Sequence, residues 1–392
     1  MSPAAPPAAL TQGDPPPPRR AALLRWFAAS ATLSLPQAAG PVAFSLLALG
    51  LTGDAGLGAA LILAMTLAQV AGAIPLSRLG ADRPPAQCLR LLIGLRTAGL
   101  GLVALLAALG APFPWLVLAA ALAGSVHGAA FGFLRAVLNQ LTPADRLPRA
   151  LGIAATLNEA TFVLAPVAAS VLGSVSPVLA VLAVAGLGAL PALLVPDTGA
   201  RRSGGALPPG GAAPSPAIAL WLLCAAAGGA TVAAVEIGAV ALALRFGHVP
   251  ALAILFTVPL CLAAVAGGLW VSWRNRRPAR LVVLAQLGTM ALGALLVALN
   301  LSMAVTVLGT VLIGAVLAPL GTHYSLTLDT LAPPHRRAEL FALLRTANSV
   351  GVIFASALLT AMSLSVALAA VAALIAGVTL VVAIATLRRP GR

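Results

Sequence analysis

The chain has no lysine, a single tyrosine, three cysteines and few charges. Asp, Glu, Lys and Arg together make up 8% of its 392 residues, against about 25% in a soluble domain. So few charges cannot cover a water-facing surface, which excludes an ordinary soluble fold. Cys88, Cys224 and Cys261 are scattered without C-x-x-C spacing. That excludes a thioredoxin-like pair and a cysteine zinc site, and leaves them as small hydrophobes. No P-loop, zinc-finger or RNP-like pattern occurs, so the net charge of +14 does not point to nucleic acid. The aspartates (Asp14, Asp54, Asp82, Asp145, Asp197 and Asp329) are far apart and form no D-x-x-x-D. Prenyl transfer, which needs clustered Asp for a metal diphosphate, is thereby excluded. Acyl transfer lacks a His beside an acid within an apolar run. No enzyme activity, cofactor or metal is expected.

What is present is hydrophobic: 60% of the residues, with mean hydropathy +1.05. A helix needs about 20 apolar residues to cross a bilayer. Twelve runs qualify, at 22–50, 56–79, 87–110, 114–141, 148–173, 175–195, 217–245, 250–273, 280–300, 303–331, 337–362 and 364–387. The run after Arg25 is too long for a signal peptide and reads as an uncleaved first span. The expected fold is an all-α integral membrane protein.

Arginine sets the orientation, because excess positive charge marks cytoplasmic loops. All but four of the 23 arginines fall at the N-terminus and in every second connection after it. Arg245 falls in the opposite set of loops, and Arg96, Arg135 and Arg345 fall inside spans. Both termini are therefore expected in the cytoplasm, with the protein multi-pass in the plasma membrane and anionic lipid headgroups against the arginines. Residues 1–20 read as a disordered cytoplasmic N-terminus. A Gly/Pro-rich linker over 197–216 separates two six-helix bundles, 21–196 and 217–392.

The segment "LTPADRLPRALGIAATLNEATF" (141–162) has a partner in "LAPPHRRAELFALLRTANSVGV", which begins at Leu331. Shifted by 190 positions, Leu141 falls on Leu331, Pro143 on Pro333, Arg146 on Arg336, Thr156 on Thr346 and Asn158 on Asn348. Each segment joins the fourth and fifth spans of its bundle, as an internal duplication requires. Two parallel six-helix repeats around a central loop resemble the major facilitator superfamily, and the resemblance runs from Arg19 to Arg389. "LSRLGADRPP" is similar to the family's G-x-x-x-D-R-x-G-R-R signature through Asp82 and Arg83, without the Gly-Arg-Arg that follows. "APVAAS" (165–170) resembles the G-P-x-x-G-G motif of proton-coupled exporters, keeping Pro166. "SVHGAAFG" (125–132) looks like the exporters' R-x-x-Q-G segment, with Gly124 in place of Arg and His127 in place of Gln.

The resemblance implies secondary-active transport by alternating access, with spans one, four, seven and ten lining a cavity. Gln37, His127, Glu236, His323 and Tyr324 are then cavity groups, with Arg345 and Asn348 at a similar depth to His323. Charged groups inside a span are costly and default to function. Glu159 and Glu236 are the proton-coupling candidates. Glu159 is alternatively a structural partner of Arg135 on the neighbouring span. Asp82, Arg83, Arg146 and Arg336 are inner-gate candidates, with Asp145 and Asp329 as further acids on that side. Arg96 reads as a bundle-packing residue.

A mostly apolar cavity with few polar anchors fits a hydrophobic or amphipathic small molecule rather than a sugar or polyanion. Pro166 and its neighbours point to efflux, the proton-driven case being an antiporter. A metabolite importer or facilitator, or a transport-silent sensor or scaffold of the same fold, stays open. A monomer is expected.

Overall fold

The computed structural model describes residues 20–53, 57–197, 215–276, 278–333 and 336–387. The disordered N-terminus and the linker expected from the sequence lie, apart from their edge residues, outside the described residues. At the first of those edges, Arg20 already opens a helix.

Spans one to six are α1 and α2 (Arg20–Leu33 and Leu35–Thr52), α3 (Leu57–Leu79), α4 (Pro85–Ala108), α5 and α6 (Phe113–Ser125 and His127–Leu141), α7 (Leu147–Val175) and α8 (Pro177–Leu194). Spans seven to twelve are α9 (Pro216–Arg245), α10 (Ile254–Arg274), α11 (Arg280–Leu299), α12 (Met303–Leu331), α13 (Arg337–Ala361) and α14 (Leu364–Leu387). A 3-10 turn, Pro250–Ala253, precedes α10. All twelve spans are long and apolar enough to cross a bilayer, and among the described residues there is no strand. Helices alone satisfy this backbone, because lipid offers its amides no partner. Leu118, Leu262 and Leu380 stand exposed on the outside of the bundle, as a lipid-facing surface requires.

The first and fourth spans are each broken into two helices, at Ser34 and at Val126. In the first, Pro36 cannot donate to the preceding turn. The Gln37 amide bonds the Ser34 carbonyl instead of that of Leu33. The freed Leu33 carbonyl is taken by the buried guanidinium of Arg96, at 2.9 Å. Arg96 also donates to the Gly188 carbonyl on α8, so one buried cation ties three helices. Elsewhere small residues let helices touch. A Cβ on Gly72 would strike the Ser125 carbonyl, and one on Gly124 would strike that of Met65. The α3–α5 contact is thus backbone against backbone, as in other membrane helix pairs.

Three apolar cores result. One draws all its residues from spans seven to twelve, and another all from spans one to six. The third lies at the arginine-rich ends of spans one to six and takes in Leu326 and Ala338 from the other half. The halves share a core at the arginine-rich face alone.

Candidate functional site

At that face polar side chains join the two halves. Glu339 opens the first turn of α13 and is 5% exposed. Its carboxylate accepts from Arg78 at the end of α3, at 2.9 Å, and from Arg336, at 3.1 Å. Asp329, near the end of α12, is paired with Arg337 at 3.4 Å and accepts from the Asn139 amide of α6. Asn275 ends α10 in the left-handed conformation that Asn tolerates. From there its Oδ1 accepts from the Arg149 backbone N–H and its Nδ2 donates to the Asp145 carbonyl, each at 2.9 Å. Arg135 lies under the Phe341 ring, 5.1 Å from its centroid. The backbones meet too: a Cβ on Gly132 would collide with the Ala338 carbonyl.

A polar chain crosses between the halves near mid-depth. Arg345, eight residues into α13, donates to Gln37 Oε1 on α2. Gln37 Nε2 donates to Gln69 Oε1 on α3, and Gln69 Nε2 donates to Ser349 Oγ on α13, at 2.6 Å. Phe131 lies beside the Arg345 guanidinium, 5.9 Å from ring centroid to cation. Beyond this chain, towards the face without arginines, the described residues show no hydrogen bond, ion pair or shared core between the halves. The polar and core contacts between the halves are therefore concentrated at the arginine-rich face.

Glu159 and Glu236 stand on opposite halves, in α7 and α9. Glu159 is partly buried on α7, and Glu236 is exposed on α9. They interact electrostatically with each other and with the Cys261 thiol on α10. No group of His, Cys, Asp and Glu able to hold a metal occurs among the described residues.

The other expected residues fall in different places. His127 is buried inside spans one to six, its Nδ1 3.4 Å from Arg96, rather than at an open surface. His323 meets Trp221 edge-on and Tyr324 meets it at a tilt, between α12 and α9, and Tyr324 is 5% exposed. Asn348 abuts Gly229 of α9, so it does not share the face on which Arg345 reaches across. The expected Arg135–Glu159 ion pair does not occur among the described residues: the Arg135 guanidinium lies over the Phe341 ring. Of the inner-gate candidates, Arg336 pairs with Glu339, which also holds Arg78 of the other half. Asp82, Arg83 and Arg146 are exposed, and their side chains make no hydrogen bond or ion pair among the described residues. The sequence reading overlooked Glu339, Gln69 and Asn275, and took Arg78 solely as a sign of sidedness. Glu339 had a signal, an acid in the first turn of a span just after two arginines.

The Major Facilitator Superfamily profile matches residues 21–356. No curated protein sequence matches the chain significantly. Among solved structures, a bacterial homologue of the iron transporter ferroportin, in an outward-facing state, superposes with TM-score 0.76 at 15% identity, over 94% of this chain and 98% of that one. The transporter FucP, in the outward conformation, gives 0.73 at 14% identity, over 93% and 97%. The human organic anion transporter MFSD10 gives 0.71 at 14% identity, over 93% and 100%. At such identity these structures share the fold alone, but the profile spans eleven of the twelve helical crossings and reaches into both halves. The chain belongs to the major facilitator superfamily.

Proposed function

We propose that the chain exports a hydrophobic or amphipathic small molecule across the plasma membrane by alternating access, as a proton antiporter using Glu159, Glu236 or both. The observation that carries this reading is the asymmetry of the contact between halves. Core, ion pairs and backbone contacts join the halves at the arginine-rich face and stop at the Gln69–Ser349 hydrogen bond. Two halves joined at one end and parted at the other form one end state of a rocking transporter. With the arginines in the cytoplasm, the parted side is outward and both termini are inside.

The acid pair supports coupling. Two carboxylates within electrostatic range oppose each other's ionisation, and a proton taken up by either relieves the repulsion. A proton entering from outside stabilises the form in which the two approach, and this biases the rocking equilibrium. Pro166, retained inside α7, supports the outward direction of substrate.

The test is flux in proteoliposomes under an imposed pH gradient, with substrates supplied by a drug-sensitivity or metabolite screen of a deletion strain. Glu159→Gln and Glu236→Gln should each reduce gradient-driven flux at least tenfold while leaving exchange without a gradient. If both variants match the parent, the proton assignment is wrong. Accumulation inside right-side-out vesicles on external acidification would identify an importer instead.

A further inference from the structure

Arg345 is a cation without a counter-ion. The ion pairs among the described residues involve Arg78, Arg90, Arg336 and Arg337, and none includes it. Its partner is the neutral Gln37 amide, and its own Nε is buried without a hydrogen bond. The other titratable group within electrostatic range on its inner side is His127, which can only add positive charge. Neither Glu159 nor Glu236 forms an ion pair with Arg345. A guanidinium held this deep by an amide leaves most of its charge uncompensated. In a low-dielectric setting that is a standing attraction for an anion.

We propose that Arg345 is the anion anchor of the parting, and that the substrate is an amphipathic organic monoanion whose carboxylate takes the place of Gln37 Oε1 on the guanidinium. The displaced Gln37 gains a role. Its side-chain amide can rotate and present Nε2 to the incoming carboxylate, giving a second donor beside the arginine. Gln69 keeps its bond to Ser349 while this happens, so the inter-half chain is not severed. Phe131, against the face of the guanidinium, gives the carbon next to the carboxylate an apolar seat. Glu159 and Glu236 repel a second negative group, and this restricts the ligand to one anionic head on an uncharged body.

The inference deepens the transport reading, and binding tests it separately from flux. Purified full-length protein is titrated with dansylaminoundecanoate and with its primary carboxamide, read by dansyl emission. The parent should bind the acid at least about tenfold more tightly than the amide. Arg345→Gln should abolish that preference while its carboxamide affinity stays at the parent value, which also shows an intact fold. Gln37→Glu keeps the arginine and supplies it with an internal carboxylate, so it too should lose the acid preference. A purely structural tether predicts no change in the acid-to-amide ratio for Gln37→Glu. Equal affinities in the parent, no binding of the acid, or a preference that survives in both variants overturns the proposal. A parent that prefers the acid but shows no gradient-driven flux counts against the transport reading and leaves the anchor standing.

Discussion

Arg78 and Glu339 meet at 2.9 Å across the two halves, the arginine about half exposed and the carboxylate nearly buried. Glu339 also holds Arg336, so one acid collects two arginines at the closed face. An exposed pair contributes about 0–1 kcal/mol, whereas a buried carboxylate with charged donors contributes on the order of 1.5–3 kcal/mol. Glu339→Gln should therefore shift the population towards the form open at the arginine-rich face by about tenfold, and Arg78→Gln by less. Spin labels on the exposed positions Asp82 and Arg276, one in each half, report this as a longer-distance component. Unchanged distance distributions in Glu339→Gln would exclude the pair from gating.

Gly132 tests the same closure sterically. A side chain there meets the Ala338 backbone of the other half, which cannot rotate away. Gly132→Val should hold the arginine-rich face apart even with all ion pairs present. Its spin-label distances should match or exceed those of Glu339→Gln, while the melting temperature of the halves, each with its own core, changes little. A variant that closes normally would show that the contact yields.

Cys261 is a built-in probe of the acid pair, because Cys88 and Cys224 are buried. Two nearby carboxylates attract a cationic thiol reagent and repel an anionic one. At an effective dielectric constant near 20, one charge about 8 Å away is worth about 2 kcal/mol. At pH 8 the cationic methanethiosulfonate should react up to about thirtyfold more slowly, and the anionic one up to about thirtyfold faster, in Glu159→Gln, and similarly in Glu236→Gln, so the ratio of the two rates falls by up to about a thousandfold. Equal ratios in parent and variants would place the carboxylates too far away to act together.

The twelve spans could be read from the sequence because lipid demands length and the loops carry the arginines. The partners of the charged side chains could not. Depth along a helix follows from counting residues, which set Arg135 and Glu159 near each other. Azimuth does not, since core and lipid are both apolar and leave no stripe to say which face looks inward. Arg135 consequently turned out to face Phe341, and Asn348 to face Gly229 rather than sharing the outlook of Arg345. The repeat pointed to both corners of the arginine-rich face, but the acid that pairs across it breaks the repeat: Glu339 stands where the first copy has Arg149. Breaks at Gly or Pro are compatible with many of the spans, and composition alone does not single out Ser34 and Val126 as the places where the helices part.

Arg96 shows how a buried charge can serve the fold alone. It is 1% exposed, and its guanidinium satisfies the Leu33 carbonyl freed by the helix break and the Gly188 carbonyl of α8. Arg96→Leu would leave both acceptors without that donor in an apolar interior, at about 1–3 kcal/mol each. It would also deprive His127 Nδ1 of its neighbour. The variant should melt well below the parent in detergent, yet bind dansylaminoundecanoate with the parent's preference over the carboxamide, since Arg345 is untouched. Loss of that preference without a change in melting would mean that Arg96, rather than Arg345, meets the anion.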